Sequence, residues 1–318
     1  MQRRSLLILT AAASSVAASA LAQSSAPIRI LVGAPPGGST DALARELVPE
    51  MGRQLDRVVI VENKSGAGGN LAADAVARAA PDGNTLLLSF TSHTINATLY
   101  PKLPFDPVAD FTPLTMVATA PSVLVAHSSL PAKDVRELIA QAKAQPGRLS
   151  FAIGGIGSSL HLAGEAFKLR AGLYIVNIPY RGTAPAIADV LAGTVPLMFA
   201  PIGNTRSLIA AGRLKALGVT SAQRLPQWPE VPAIAETLPG FESSAWFGLF
   251  GPARMAPEVA RRIGDAARAA IRTDAMRKRL ESDGALPVGN SADEFARFVK
   301  ADVARWEKLV RYSGAKPE

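Results

Sequence analysis

Four short stretches offer chemistry through their backbone more than through their side chains. They are Ala34-Pro35-Pro36-Gly37-Gly38-Ser39-Thr40-Asp41, Ser65-Gly66-Ala67-Gly68-Gly69-Asn70, Gly154-Gly155-Ile156-Gly157-Ser158-Ser159 and Tyr180-Arg181-Gly182-Thr183-Ala184-Pro185. Each is rich in small residues and each opens a segment of helical period. Glycine lets a backbone come close to a ligand, and free N–H groups at a helix start favour an anion through hydrogen bonds and the helix dipole. The chemistry on offer is capture of a carboxylate by main-chain donors and hydroxyls. Pro36, Gly37, Gly38, Ala67, Gly68, Gly157, Ser158, Ser159, Gly182 and Thr183 are the candidate contacts. Lys64 and Arg181 are the cations beside these loops, and Arg181 joins the candidates. One such loop alone is equally well a capped tight turn; four together favour a ligand.

Catalytic alternatives leave only fragments. Ser158 has His161 nearby, but the pattern is not the G-x-S-x-G elbow, and His161 sits on a helical stretch as a partly buried, hydrogen-bonded histidine. His93 follows a strand end beside Thr91 and Ser92, which makes Ser92 and His93 candidate pocket-lining residues, while His127 reads as surface. Asp41 falls in the first turn of a helix, where a carboxylate is favoured by the dipole and can hold the amides of the glycine loop; it is a candidate site residue in that supporting role. Gly66, Gly68 and Gly69 follow a strand, but Leu71 stands where the third glycine of a dinucleotide fingerprint belongs, and no P-loop ending is present. With three histidines, no H-E-x-x-H and no cysteine, neither a metal site nor a cofactor is expected, and no enzyme activity.

The elements that must hold these loops follow from hydrophobic period. Short β-branched runs alternate with helical stretches from Ile28 onward, the pattern of an α/β chain whose parallel sheet is covered by helices on both faces. Expected strands are Ile28 to Val32, Val58 to Glu62, Thr85 to Phe90, Ser122 to Ala126, Leu149 to Ala152, Val176 to Pro179, Val195 to Phe199 and Lys215 to Val219. In the first helix Leu43, Leu47, Met51 and Leu55 recur four apart, with Arg45, Glu46, Glu50 and Arg53 on other faces. Further helical runs are Leu71 to Ala79, Val135 to Ala144, Leu160 to Leu169, Ile187 to Leu191, Val259 to Ile271 and Ala292 to Val310. Strand-to-helix junctions of an open sheet lie at the carboxyl ends of its strands, where ligands bind. Ser122 to Ala126 and Phe247 to Phe250 are the expected crossings between two lobes, 27–122 plus 249–318 and 123–248.

Arg3 and Arg4 precede an acid-free apolar run from Leu6 that ends Ala20-Leu21-Ala22, which reads as a signal peptide over residues 1–22. Export by the secretory or the twin-arginine route is compatible with the Arg3-Arg4 pair, and a periplasmic location is expected. About 295 residues then remain, enough for two lobes with their own cores. The formal charge of +8 drops to +6 without Arg3 and Arg4; the basic C-terminal segment lacks interleaved aromatics, so no nucleic-acid partner is expected.

Pro35 to Arg45 (P-P-G-G-S-T-D-x-L-A-R), Val61 to Asn70 (V-E-N-K-S-G-A-G-G-N), Ala79 to Leu88 (A-x-P-D-G-N-T-L-L-L) and Pro179 to Ala186 (P-Y-R-G-T-A-P-A) resemble the Bug family, periplasmic receptors of tripartite tricarboxylate transporters. Leu103-Pro104-Phe105-Asp106-Pro107, Asp110-Phe111, Pro239-Gly240-Phe241-Glu242 and Trp306 extend the resemblance over the mature chain. The resemblance implies a two-lobed type II periplasmic-binding-protein fold, each lobe a central sheet flanked by helices, closing on a carboxylate held by main-chain amides and waters. It places the first carboxylate between Pro36-Gly37-Gly38 and Ala67-Gly68, with Ser158 and Thr183 contributing from the other lobe. Where many relatives carry an acid, this chain reads Ala200-Pro201-Ile202-Gly203-Asn204; Pro201 joins the candidate wall, and a dicarboxylate, tricarboxylate or aromatic carboxylate is favoured over an amino acid. The partners implied are that carboxylate and the integral membrane subunits of the transporter, the receptor itself being a monomer. A ligand-sensing partner of a periplasmic signalling receptor would use the same cleft, and a periplasmic hydrolase using Ser158 and His161 is the third reading.

Overall fold

The computed structural model describes residues 26–317. The signal-peptide expectation falls on residues outside that range. Two sheets organise the chain. The first holds β1 (Ile28–Val32), β2 (Val59–Asn63), β3 (Thr85–Phe90), β4 (Phe111–Ala120), β10 (Ala245–Pro252) and β11 (Leu286–Pro287), in the order β11-β4-β10-β3-β1-β2. The second holds β5 (Ser122–His127), β6 (Ser150–Ile153), β7 (Val176–Pro179), β8 (Leu197–Pro201) and β9 (Leu214–Val219), in the order β7-β6-β8-β5-β9.

The expected all-parallel sheet is corrected to two mixed sheets. β1 pairs in parallel with β2 and β3, and β6 with β7 and β8, whereas β10 runs antiparallel to β3 and β4, and β5 antiparallel to β8 and β9. The chain leaves the first sheet at Pro121 and returns through Ser243 and Ser244, so Phe247–Phe250 lies inside β10 and is not itself a crossing.

Ten helices cover the sheets among the described residues: α1 (Ser39–Leu55), α2 (Asn70–Ala77), α3 (Ser92–Leu99), α4 (Val135–Ala144), α5 (Ser159–Ala171), α6 (Thr183–Leu191), α7 (Ile202–Ala210), α8 (Pro257–Ile271), α9 (Asp274–Asp283) and α10 (Ala292–Ser313). The four-apart leucines of α1 pack with Ile263, Ala267 and Ala270 of α8 on one face of the first sheet. Trp246, Phe250 and Phe295 fill the other face. In the second lobe Leu138 and Phe167 pack on one face, Ile187 and Val190 on the opposite one. No helix among the described residues is long and apolar enough to cross a membrane.

The lobes meet in a small apolar cluster of Ile95, Leu99, Leu162, Trp306 and Val310, contributed by α3, α5 and α10. Behind it Asp302 is 3% exposed. Its Oδ2 accepts from Thr94 Oγ1 at 2.7 Å, Trp246 Nε1 at 2.8 Å and Trp306 Nε1 at 2.9 Å. Arg305 Nη2 supplies the counter-charge 3.0 Å from Oδ1. One carboxylate thus joins α3, β10 and α10, and both indole N–H groups would lose their acceptor if it were removed. Asp302→Ala is expected to cost about 3–5 kcal/mol, the range for breaking a buried charged hub, read as a lowered melting temperature by circular dichroism.

Candidate functional site

In the first lobe β1 and β2 run side by side, with Val32 opposite Asn63, and deliver two loops to the same edge. These loops touch backbone to backbone: a Cβ on Gly33 would lie 2.6 Å from Gly69 Cα. Only glycine fits at that approach. Asp41 braces the first loop from beneath, accepting from Gly37 N–H at 2.9 Å, Asn63 Nδ2 at 2.9 Å and Arg45 Nε at 3.0 Å. The Arg45 guanidinium, above all, holds the Asp41 carboxyl down at about 2 against burial, with Gly37 and Asn63 assisting.

The second loop turns through positive φ at Gly66, Ala67, Gly68 and Gly69. Such turns can present successive N–H groups as an anion-binding concavity. Ala67 at φ 48° is a non-glycine residue in the left-handed region, a strain of about 1 kcal/mol of the sort kept at functional sites. Gly68 carbonyl oxygen accepts from Asn96 Nδ2 at 3.2 Å, and the same amide reaches Asn70 Oδ1 at 2.8 Å.

The second lobe repeats the device. β6 and β7 pair in parallel up to Ile153 and Pro179, Gly182 N–H donates to Gly154 O at 3.0 Å, and a Cβ on Gly154 would meet Gly182 C and Thr183 N at 3.0 Å. Tyr180 Oη donates to Asp189 Oδ2 at 2.6 Å, which ties the loop to the helix it opens and lifts the phenol to about 12.

α3 links the two pairs. Asn96 holds Gly68 of the first lobe, and one turn later Leu99 covers Gly157 of the second, leaving an imagined Gly157 Cβ only 2.6 Å from Leu99 Cδ2. Residues three apart lie on one helix face. The glycine loops of both lobes therefore border the same short helix.

Three of the four loops open their helices without a capping side chain: Gly38, Gly69 and Gly182 supply none, whereas Asp134, Thr273 and Ser291 cap α4, α9 and α10. First-turn amides have no acceptor inside their helix. In these helices the first-turn residues without a capping side chain are Ser39 and Thr40 and Thr183 and Ala184. Ser39, Thr40 and Ala184 were not singled out from the sequence, although an N-terminal turn preceded by glycine is the signal that points to them.

Several of the expected contact residues have partners within the protein. Gly37 and Gly182 spend their N–H groups on Asp41 and Gly154, so they shape the loops without donating outward. Gly157 donates to His161 Nδ1 at 3.0 Å and is buried under Leu99. Ser158 caps α5: its hydroxyl donates to Gly155 O at 2.8 Å and accepts from His161 N–H at 3.2 Å, leaving one lone pair and no proton for a carboxylate. Asp41 has its oxygens filled by the loop and is a brace. His93 is 3% exposed, with Nε2 2.9 Å from Pro107 O and its ring 4.9 Å from that of Phe250; burial pushes it down to about 4, and it belongs to the aromatic core, away from the crevice. Pro201 ends β8, and the turn after it packs Ile202 against Gly284 of the first lobe. Pro36, Ala67, Gly68 and Arg181 are exposed, Gly38, Ser92, Ser159 and Thr183 half-buried at their loops or helix starts. His161 is no partner for the Ser158 hydroxyl, since its Nδ1 faces Gly157 and its Nε2 faces Glu165 at 3.4 Å.

A cavity of about 640 Å³ lies elsewhere, at the amino-terminal ends of β1, β2 and β3, lined by Ile28, Leu55, Arg57, Asn84, Arg262 and neighbours. Open α/β sheets bind ligands at the other end. Its arginines are engaged in holding chain, Arg57 to Ala26 O and Asn84 Oδ1 and Arg262 to Leu55 O.

A family model for the tripartite tricarboxylate transporter family receptor matches residues 43–315. Protein BugT of Bordetella pertussis is 37% identical over 293 residues, 91% of this chain and 90% of that one. The UPF0065 protein in the tcbD-tcbE intergenic region of Pseudomonas sp. strain P51 is 38% identical over 288 residues, 90% of this chain and 86% of that one. Among solved structures, R. palustris Rpa4515 with adipate superposes at TM-score 0.77 and 33% identity, covering 92% of this chain and 98% of the other. MatC from Rhodopseudomonas palustris with bound malate gives 0.73 and 32%, covering 89% and 98%.

Two predictions follow from this geometry. Gly154→Ala should push the second-lobe loops apart, lowering stability by about 1–3 kcal/mol as overpacking does, whereas Gly155→Ala, whose nearest neighbour is Ser158 Cβ at 4.0 Å, should melt like the parent chain. Asp41 titrates at about 2 when folded against an ordinary 3.8, so its stabilisation is complete above about pH 4 and is lost as pH falls towards 2. Asp41→Asn should therefore be less stable than the parent at pH 7, with the gap closing between pH 4 and pH 2 in urea unfolding.

Proposed function

We propose that this chain, which belongs to the tripartite tricarboxylate transporter receptor family, captures a small dicarboxylate in the crevice between its lobes and presents it to the integral membrane subunits of such a transporter. What supports the reading is that the helices begun by Ser39, Asn70 and Thr183 have no capping side chain, and that the loops leading to them are in backbone contact at glycine in each lobe. A carboxylate has two oxygens and about four acceptor positions, and backbone donors supply it without a buried counter-ion. Arg181, exposed on the rim and drawn into no ion pair among the described residues, is the cation available to a second carboxylate. The relatives solved with adipate and with malate support the dicarboxylate class.

From the end of β8 the wall reads Ala200-Pro201-Ile202-Gly203-Asn204 and carries no acid, so it offers an ammonium group nothing to pair with. The periplasm is the compartment this role requires. Capture needs no bond making: ligand contacts made from both lobes favour the closed form, so binding shifts a two-state population towards the shape read by the membrane partner. The serine hydrolase reading loses its support, because the Ser158 proton is donated to Gly155 O and the His161 ring is turned to other partners.

A thermal-shift series on the mature chain with adipate, malate, a neutral sugar and an amine tests the proposal. A dicarboxylate at a hundredfold excess over its dissociation constant should add about 2.7 kcal/mol of stability. A shift given by the sugar or the amine alone would overturn it, and Arg181→Ala should weaken dicarboxylates more than the matching monocarboxylates.

A further inference from the structure

We infer that His161 is a positioning residue for capture, fixing both ligand loops of the second lobe from behind through a hydrogen bond accepted from Gly157. This rests on the receptor reading above but adds a residue that faces no ligand. The side chain is 3% exposed. Nδ1 accepts from Gly157 N–H at 3.0 Å. A neutral imidazole that accepts at Nδ1 carries its proton on Nε2. Nε2 points to Glu165 Oε1 at 3.4 Å, the oxygen that also receives Asn177 Nδ2 at 2.6 Å and Lys168 Nζ at 2.6 Å. The 3.2 Å approach of Asn177 Nδ2 to Nε2 brings together two donors that share this acceptor. Burial pushes the Glu165 carboxyl up, yet the bonds from His161, Asn177 and Lys168 more than offset it and hold it at about 2.

The cluster joins the two loops. Asn177 lies in β7, which leads to Tyr180–Thr183, and Gly157 is the tip of the other loop. Lys168 Nζ also reaches Asn177 Oδ1 at 3.3 Å and Ile175 O at 3.2 Å, so the strand is held at two points. The charged groups facing His161 are Glu165 and Lys168 of its own helix; β7 contributes the Asn177 amide, and α3 of the first lobe sets the apolar Leu99 on Gly157. Without the Nδ1 acceptor the Gly157 N–H would be buried with no partner, and the loop that Leu99 covers would lose its hold.

The test uses the mature chain, with adipate as probe, and the variants His161→Asn and His161→Ala. The Asn Oδ1 falls where Nδ1 does and keeps the acceptor for Gly157. Hydrogen exchange followed by NMR, which needs no ligand, should show Gly157 protected in the parent and in His161→Asn and at least tenfold less protected in His161→Ala. Adipate affinity should fall at least tenfold in His161→Ala and be restored in His161→Asn. Equal protection of Gly157 in the parent and His161→Ala, equal adipate affinity in those two, or an Nδ1–H tautomer in the imidazole nitrogen shifts would overturn the assignment. Failure of adipate to bind the parent counts against the dicarboxylate reading alone, because the exchange measurements still decide the role of His161.

Discussion

The structure depends on a contact that no side chain can enter. In each lobe two neighbouring parallel strands end in loops whose backbones lie in van der Waals contact, Gly33 against Gly69 and Gly154 against Gly182 and Thr183. A methyl group at either place would separate the loops by more than close-packed interiors tolerate. Because the loops are locked to each other, their helix starts are aimed before any ligand arrives. Preorganised amides lose little freedom on binding, which is where affinity for a small anion is otherwise dissipated.

Buried carboxylates serve this arrangement. Asp41 holds the loop of the first lobe, Asp302 ties α3 to β10 and α10, and Glu165 anchors the strand leading to the loop of the second lobe. Each is buried among donors that satisfy it. A carboxylate site built with a buried cation would have to desolvate both charges, at a cost that can exceed the Coulombic gain. Main-chain donors avoid that cost because they carry partial charge only.

Legibility in the sequence followed the distance over which each feature is decided. α1 was readable because Leu43, Leu47, Met51 and Leu55 mark one face, and β1 and β3 appear at the expected residues. β4 was missed because Phe111–Ala120 carries Pro113 and little apolar alternation, and with it went the antiparallel half of the first sheet. α3 was missed because its buried stripe is polar: His93, Thr94 and Asn96 turn inward, each bonded to a residue outside the helix, and a search for apolar period passes over them. The same blindness put His93 in the crevice. The four loops were visible as composition, but which amides point outward depends on Asp41, Gly154 and His161 taking up particular ones, and that is decided in three dimensions.

α3 matters most for how the lobes communicate. Its N-terminal half is fixed to the first lobe by Thr94 on Asp302 and Asn96 on Gly68, while its last turn presents Leu99 to Gly157 and the apolar cluster with Leu162. The polar end has directional bonds that resist sliding, and the apolar end has contacts that permit it. The helix thus has its directional contacts with one lobe and its non-directional contacts with the other. Small sliding of packed helices is one of the recognised forms of domain closure. Since Gly157 is held on its far side by His161, Leu99 packs on a loop already tied to the second lobe's own network.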